Sequence, residues 1–324
     1  MIVVFVETTA GDDGDVLAGP SRQALTLARS LDDDVVAVAV DDGEVDLDEV
    51  AEDAGRYGAV QLHGAWHDLL DRYGPESWAA ALDGLVEELA PGVVLAAGTE
   101  RGGEVLAHVA ARRDLPLVAN VTHAEADDAG WRLQRVRWGG SLFEHTRLEA
   151  ERVLLTVQPH AVDAVEVVDP AAAELVEHDV ELDDVVARTR VVEEVVTSTG
   201  VSLATAPVVV GGGRGVGSAE GFADLERLAG LLGGAVGCSR VATNNGWRPH
   251  RDQVGQTGTA IAPTIYIACG ISGAIQHWAG AKSAKHVLAI NTDAEANMVA
   301  RADWAVVGDL HQVVPALVAA IEAR

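Results

Sequence analysis

The chain has 324 residues, with 50 Asp and Glu against 23 Lys and Arg and a formal net charge of −27. That length holds two domains of ordinary size, each able to bury its own core. That charge excludes nucleic acid and anionic lipid as partners, because both would be repelled.

Only two lysines occur, Lys282 and Lys285. An Asp-rich, Lys-poor composition is expected of a surface kept soluble in concentrated salt, where the Debye length falls to about 3 Å at 1 M. Cys238 and Cys269 are the only cysteines. They form no CxxC pair and cannot build a thiolate cluster, so any electron the chain carries needs a borrowed cofactor. Each is expected as a small buried residue, and no metal site is expected. No run approaches 18 uninterrupted apolar residues, and MIVVFVETTAGDDGD reads as a first strand, not a secretory leader. A cytoplasmic protein without membrane insertion is the expectation.

In chain order, Val- and Ile-rich runs predict strands at Ile2–Val6, Val35–Val40, Ala59–Leu62 and Val93–Ala96. Pro20-Ser21 opens a first helix, and Asp48–Ala54 is a short second one. Pro75-Glu76-Ser77 opens a third to Leu89, with Trp78, Leu82, Leu85, Val86 and Leu89 on one face. Repeated β-then-α units imply a mostly parallel sheet covered by helices. From Gly130 the pattern changes. WRLQRVRW alternates, Gly139-Gly140-Ser141 turns the chain, and Arg152–Gln158 is a further strand, so antiparallel pairing added to the sheet is expected. Arg132, Arg135 and Arg137 have period two and are expected to make ordinary ion pairs on an exposed strand face, the other reading being a phosphate patch. Asp179–Val196 is expected to cross to a second domain, with the boundary at Thr197-Ser198-Thr199-Gly200.

The second domain opens with strand Val208–Val210, the loop GGGRGVG and a helix from about Ala219 to Leu232. Bare glycines between strand and helix suit a phosphate at a helix end. Gly212 and Gly217, however, fit neither the dinucleotide nor the P-loop fingerprint. Thr264–Ala268 is a strand, Gly270-Ile271-Ser272-Gly273 turns into a helix bearing Gln276 and His277, and strand His286–Ile290 ends at Asn291. Polar groups gathered at the carboxyl ends of strands mark the ligand edge of an open α/β sheet.

The ordered series VGQTG, ACGISGAIQHWAGAKSAK, AINTD and VVGDLHQVVPAL resembles the FAD-binding domain of electron transfer flavoprotein alpha subunits. The likeness is continuous over roughly the last 120 residues. It implies an α/β fold of two domains: residues 1–197, adenine-nucleotide-hydrolase-like and facing a beta subunit, and residues 198–324, an FAD-binding domain of deoxyhypusine-synthase-like fold. It also implies that His277 approaches the flavin C2 oxygen and that Arg240 lies over the ring. Ser239 and Thr257 sit at its polar edge, Thr257 as the partner of N5, beside Val254, Gly255 and Gln256. Ser272, Gly273, Ala274, Ile275 and Gln276 would face the diphosphate and ribityl chain, and Arg214, Asn291, Asp309 and Leu310 the adenosine and diphosphate end. Two departures from the family pattern are Thr259, where Lys is common, and Glu295-Ala296-Asn297-Met298.

Each residue has a plainer alternative. His277 could be a satisfied helix histidine, Arg214 and Arg240 surface cations, Thr257 a turn residue, Asn291 and Asp309 helix caps. Trp278 is expected in a core between the domains and not on the flavin. No residue is expected to act as a catalytic acid, base or nucleophile, because the flavin supplies the redox chemistry. The resemblance implies an electron carrier, paired with a beta subunit, that takes single electrons from acyl-CoA or other dehydrogenases in fatty acid β-oxidation and passes them to a membrane quinone oxidoreductase. Two alternatives stay open: the alpha subunit of a nitrogen-fixation-type or electron-bifurcating complex using NADH, and a nucleotide sensor that transfers nothing.

Overall fold

Runs that are apolar on both faces cannot sit at a solvated sheet surface, and here they become parallel strands with helices on either side. The computed structural model describes residues 1–10, 14–41, 43, 45–127, 129–138, 142–191, 203–204 and 206–323. These fall into two compact units, residues 1–138 with 142–191 and residues 203–323. The expected boundary at Thr197–Gly200 and the turn Gly139–Ser141 lie outside the described residues.

In the first unit the elements run β1 (Ile2–Val6), β2 (Thr8–Ala10), β3 (Asp15–Leu17), α1 (Gly19–Arg29), β4 (Val35–Asp41), α2 (Leu47–Arg56), β5 (Gln61–Trp66), α3 (Pro75–Leu89), β6 (Val93–Ala97), α4 (Glu100–Arg113), β7 (Leu117–Asp127), β8 (Gly130–Arg137), β9 (Leu142–Leu148), β10 (Val153–Val157) and β11 (Glu174–Asp179). The sheet order is β11-β5-β4-β1-β6-β10-β7-β8-β9, and β2 with β3 forms a separate hairpin. The strands of β1, β6 and β10 are buried throughout. Alternate residues feed two cores: Val4 and Leu95 pack on one face, Val3 and Val94 on the other with Leu82, Leu85 and Val86 of α3.

Three expectations need correction. The strand at 153–157 is not part of the antiparallel addition; it inserts between β6 and β7, parallel to both, because five buried residues, four of them apolar, are stabilised more in a central slot than at an arm. Within the nine-stranded sheet, among the described residues, only β7-β8-β9 pair antiparallel. Second, the segment after Asp179 does not cross at once. β11 pairs with β5, Arg188 pairs with Glu76 and the Val191 amide donates to the Tyr73 carbonyl, so the chain stays with the first unit as far as Val191. Third, the third-strand register is shifted to Gln61–Trp66 from the expected Ala59–Leu62.

The Arg-rich arm makes ordinary cross-strand pairs: Arg132 with Glu125, Arg135 and Arg137 with Glu144, Arg147 with Asp127. Such exposed pairs contribute little and leave the large acidic excess unpaired. Self-repulsion then predicts a thermal midpoint that rises steadily from about 0.1 to about 3 M KCl as screening tightens; a flat series measured by circular dichroism would show that the acidity is incidental.

The second unit contains β12 (Val208–Gly212), α5 (Ala223–Leu231), β13 (Ala235–Cys238), α6 (Arg240–Asn244), β14 (Ile265–Cys269), α7 (Ile275–Ala281), β15 (His286–Asn291), α8 (Asn297–Arg301), β16 (Trp304–Val307) and α9 (Leu310–Glu322). Its sheet, β13-β12-β14-β15-β16, is parallel throughout. Strand alternation again splits two cores, with Val210, Ile267 and Cys269 against α5 and α9, and Val209, Tyr266 and Ala268 on the opposite face. The glycine loop does not run straight into a helix as expected. Short 3₁₀ turns at Arg214–Val216 and Glu220–Phe222 precede α5. Trp278 is partly buried against this unit's own core, under the Arg301 guanidinium.

Candidate functional site

After β12 the chain moves to β13 on one side of the sheet and then to β14 on the other. The connections leaving the paired carboxyl ends of β12 and β14 therefore run to opposite sides, which makes this the switch point of the sheet. A cleft of about 610 Å³ lies there. Its walls are Arg214 and Gly215 after β12, Ser239, Arg240 and Val241 after β13, the 253–257 loop, Gly270–Ala274 with Gln276 and His277 after β14, and Asn291, Asp293 and Ala296 after β15.

The loops approach one another at glycines, where no side chain would fit. A Cβ on Gly213 would meet the Gly270 carbonyl oxygen at 2.2 Å, and one on Gly280 would meet the Gly255 nitrogen at 2.4 Å. The Gln256 amide donates to the Gln276 carbonyl at 2.7 Å, and the Ile261 amide to the Gly280 carbonyl at 2.8 Å, so α7 and the 253–261 loop are one piece. Asn291 braces the opposite wall: its Nδ2 donates to the Ile271 carbonyl at 3.0 Å, and its Oδ1 accepts from the Asp293 amide.

Polar side chains line the interior. Gln253 is 2 % exposed; its Nε2 donates to Thr257 Oγ1 at 2.9 Å, and its Oε1 accepts from Thr243 Oγ1 at 2.9 Å. Ser239 Oγ and His277 Nδ1 are buried without a hydrogen-bond partner among the described residues. His277 Nε2 lies 2.8 Å from Tyr266 Oη. Burial holds His277 down at about 4, against a smaller upward pull from the Val254 backbone. Arg214 and Arg240 are exposed on the cleft, and neither has an ion pair among the described residues. Two unpaired guanidiniums on one cleft stand out in a chain with this acidic excess.

Of the residues singled out in the sequence, Arg214, Ser239, Arg240, Val254–Thr257, Ser272–Ala274, Gln276, His277 and Asn291 are brought together. Three others do not reach the lining. Ile275 points outward and is exposed. Asp309 caps α9, accepting from the His311 amide at 3.0 Å, and Leu310 is buried in the α5–α9 core. Gln253 and Asp293 line the cleft without standing out as site residues in the sequence, although they lie directly beside VGQTG and within AINTD, and Ala296, within one of the two departures from the family pattern, lines it as well. Thr259 stays off the lining; its backbone closes the loop by pairing with Gln253 and Gly255. Cys238 and Cys269 are free and buried, with burial raising each thiol to about 12.

Residues 5–183 match the family described as the electron transfer flavoprotein domain, and residues 202–282 match the electron transfer flavoprotein FAD-binding domain. The electron transfer flavoprotein subunit alpha of Bacillus subtilis is 35 % identical over 307 residues, covering 94 % of this chain and 93 % of that one. The Mycobacterium tuberculosis protein of the same name is 38 % identical over an alignment of 327 residues, covering 100 % and 98 %. The chain belongs to the electron transfer flavoprotein alpha-subunit family. A further relative, Protein FixB of Clostridium saccharobutylicum, is 36 % identical over 275 residues, covering 84 % and 82 %.

The cofactor of an electron transfer flavoprotein domain of this kind is FAD, and the cleft suits it. FAD presents a diphosphate, which needs cations and closely approaching backbone, and a flavin edge, which needs donors. The two unpaired arginines, the glycine-lined walls and the partnerless His277 Nδ1 and Ser239 Oγ meet those needs. In this electron transfer flavoprotein subunit no helix is long and apolar enough to cross a membrane, among the described residues.

His277 also predicts an acid-sensitive term. Above its ordinary value of 6.5 the imidazole is neutral in folded and unfolded chains alike, and it contributes no pH dependence. As pH falls from 6.5 toward about 4 the unfolded chain takes a proton that the folded chain refuses, so stability is lost across that window, by about 3 kcal/mol at most. His63 and His160, also lowered chiefly by burial, add to the same window. Urea midpoints of FAD-free wild type and His277→Gln, compared from about pH 7 to about pH 4.5, should therefore converge on acidification. Parallel curves would mean that His277 takes its proton in the fold as readily as in the unfolded chain.

Proposed function

We propose that this chain is the FAD-carrying half of a heterodimeric electron carrier, completed by a beta subunit that meets the first unit, and that it works in the cytoplasm without a substrate of its own. It accepts single electrons from acyl-CoA dehydrogenases or other dehydrogenases of fatty acid β-oxidation and delivers them to a membrane quinone oxidoreductase. The observation that supports this reading is the set of unpaired donors and cations gathered on one cleft at the switch point of the second sheet.

Bound FAD supplies one-electron chemistry; the chain supplies binding, orientation and electrostatics. Arg240 and His277 place a positive charge and a hydrogen-bond donor where negative charge grows on reduction. Gln253 holds the Thr257 hydroxyl, and Ser239 offers a second hydroxyl. Val254, Gly255 and Gln256 carry Thr257 on a loop tied to α7. Arg214, Asn291 and the Ser272–Gln276 turn grip the diphosphate and adenosine end, with Asp309 and Leu310 fixing the start of α9 beyond them. Residues 1–197 and 198–324 then act as partner-binding and FAD-binding domains.

Co-expressed with its beta subunit, the chain should be yellow with about one FAD in this domain, and should behave poorly alone. A colourless product after refolding in high salt with excess FAD would overturn the reading and favour a nucleotide sensor. The likeness to Protein FixB supports a second reading, a nitrogen-fixation-type or bifurcating complex fed by NADH. Bleaching of the yellow complex by NADH alone, without a dehydrogenase, would favour that one.

A further inference from the structure

Tyr266 is the largest fully buried side chain of the second unit and lies in β14, outside the cleft lining. Its hydroxyl fits because the neighbouring strand carries a glycine: a Cβ on Gly211 of β12 would meet Tyr266 Oη at 2.3 Å. Among the described residues the hydroxyl has one hydrogen-bond partner, His277 Nε2 at 2.8 Å.

Two arrangements of hydrogens satisfy that contact. In the first, Tyr266 O–H donates to Nε2, the imidazole hydrogen sits on Nδ1, and one group is left without a full hydrogen bond, an Nδ1–H with only the Val254 backbone near it, on the ring that lines the cleft. In the second, Nε2–H donates to the tyrosine oxygen. The Tyr266 hydrogen then has no acceptor and the Nδ1 lone pair has no donor, which leaves two buried orphans. Burial keeps the phenol protonated and the imidazole neutral, so no third arrangement with shifted charge competes. Buried polar groups go unpaired at a cost each time, and the arrangement with fewer orphans wins.

We propose that Tyr266 is a positioning residue that fixes His277 as the Nδ1–H tautomer, so that this ring presents a donor and not a lone pair to the bound flavin. This rests on the reading that His277 faces FAD. Tyr266 itself touches neither cofactor nor reacting atoms; it acts through the imidazole, and Gly211 acts through Tyr266 by leaving room for the hydroxyl.

The test is long-range proton–nitrogen NMR on the FAD-loaded protein with ¹⁵N-labelled histidine in this chain, the His277 signals being assigned by their loss in His277→Gln. Wild type should show the hydrogen on Nδ1 and an accepting Nε2; a hydrogen on Nε2 overturns the proposal without any Tyr266 variant being needed. Tyr266→Phe keeps the ring and removes the donor. It should loosen the hold on the ring, so that the Nε2–H form appears beside the Nδ1–H form, and lower the first-electron potential in the same direction as His277→Ala but by less, with FAD stoichiometry unchanged. A merely structural tyrosine would lower the melting temperature and leave the tautomer where it was, which overturns the assignment. A changed tautomer with an unmoved potential places the failure in the reading that His277 faces the flavin.

Discussion

Gly280→Ala should cost this protein its flavin, while Gly230→Ala, the same substitution in the same unit, should stabilise it. Both glycines are helical. A Cβ on Gly230 meets nothing within 4 Å, whereas one on Gly280 would stand 2.4 Å from the Gly255 nitrogen and 2.5 Å from its Cα. Backbone cannot rotate away as a side-chain tip can, so α7 and the 253–261 loop must separate. Overpacking of this kind costs about 1–3 kcal/mol. Relief by separation would also break the Gln256–Gln276 and Ile261–Gly280 hydrogen bonds and displace Thr257 and His277 together. FAD affinity should fall by roughly tenfold to a hundredfold. Gly230→Ala, near the end of α5, recovers helix propensity and should add about 0.5–1 kcal/mol. Fluorimetric FAD titration and urea midpoints of both variants decide it; retained affinity in Gly280→Ala would mean that the two loops can bind the cofactor apart.

The same close approach explains what could be read from the sequence and what could not. Ile2–Val6, Val93–Ala97 and the face of α3 were legible because their burial follows from local runs and a helical period. The insertion of Val153–Val157 between β6 and β7 was not, because which strand neighbours which is set by long-range packing. The end of α5 was legible, but its start was misplaced: the Ser218 hydroxyl accepts from the Gly221 amide and so serves the 3₁₀ turn at Glu220–Phe222, ahead of the helix. At the cleft, a continuous series of motifs gave the walls. It could not show that Asp309 spends its carboxylate on the α9 amides, nor that Ile275 faces away on a short helix. Tyr266 was quoted within an apolar strand and passed over. A lone phenol in such a strand is a signal, but its partner lies eleven residues on, across a turn, and only the fold brings the two together.

The clearest separation of roles should come from three variants followed in one dithionite titration. His277→Ala removes the Nδ1 group, which has no hydrogen-bond partner among the described residues, and with it the contact proposed to the cofactor; it also removes the Nε2 partner of the Tyr266 hydroxyl. A hydrogen bond involving a charged group is worth about 1.5–3 kcal/mol, and a one-electron potential moves about 59 mV per tenfold change. With water recovering part of the loss, the first-electron potential should fall by tens of millivolts while FAD remains bound. Arg240→Ala should lower it further, since a full charge with no ion pair of its own is removed. Arg240→Lys should keep the charge and lose the flat contact with the ring. Asn291→Ala acts differently. It releases the Ile271 carbonyl and the Asp293 turn, loosening the wall assigned to the adenosine and diphosphate end. That weakens binding of oxidised and reduced FAD alike, and a ligand preference equal in both states leaves the potential where it was. Should Asn291→Ala shift the potential while His277→Ala and Arg240→Ala do not, FAD lies in the cleft the other way round.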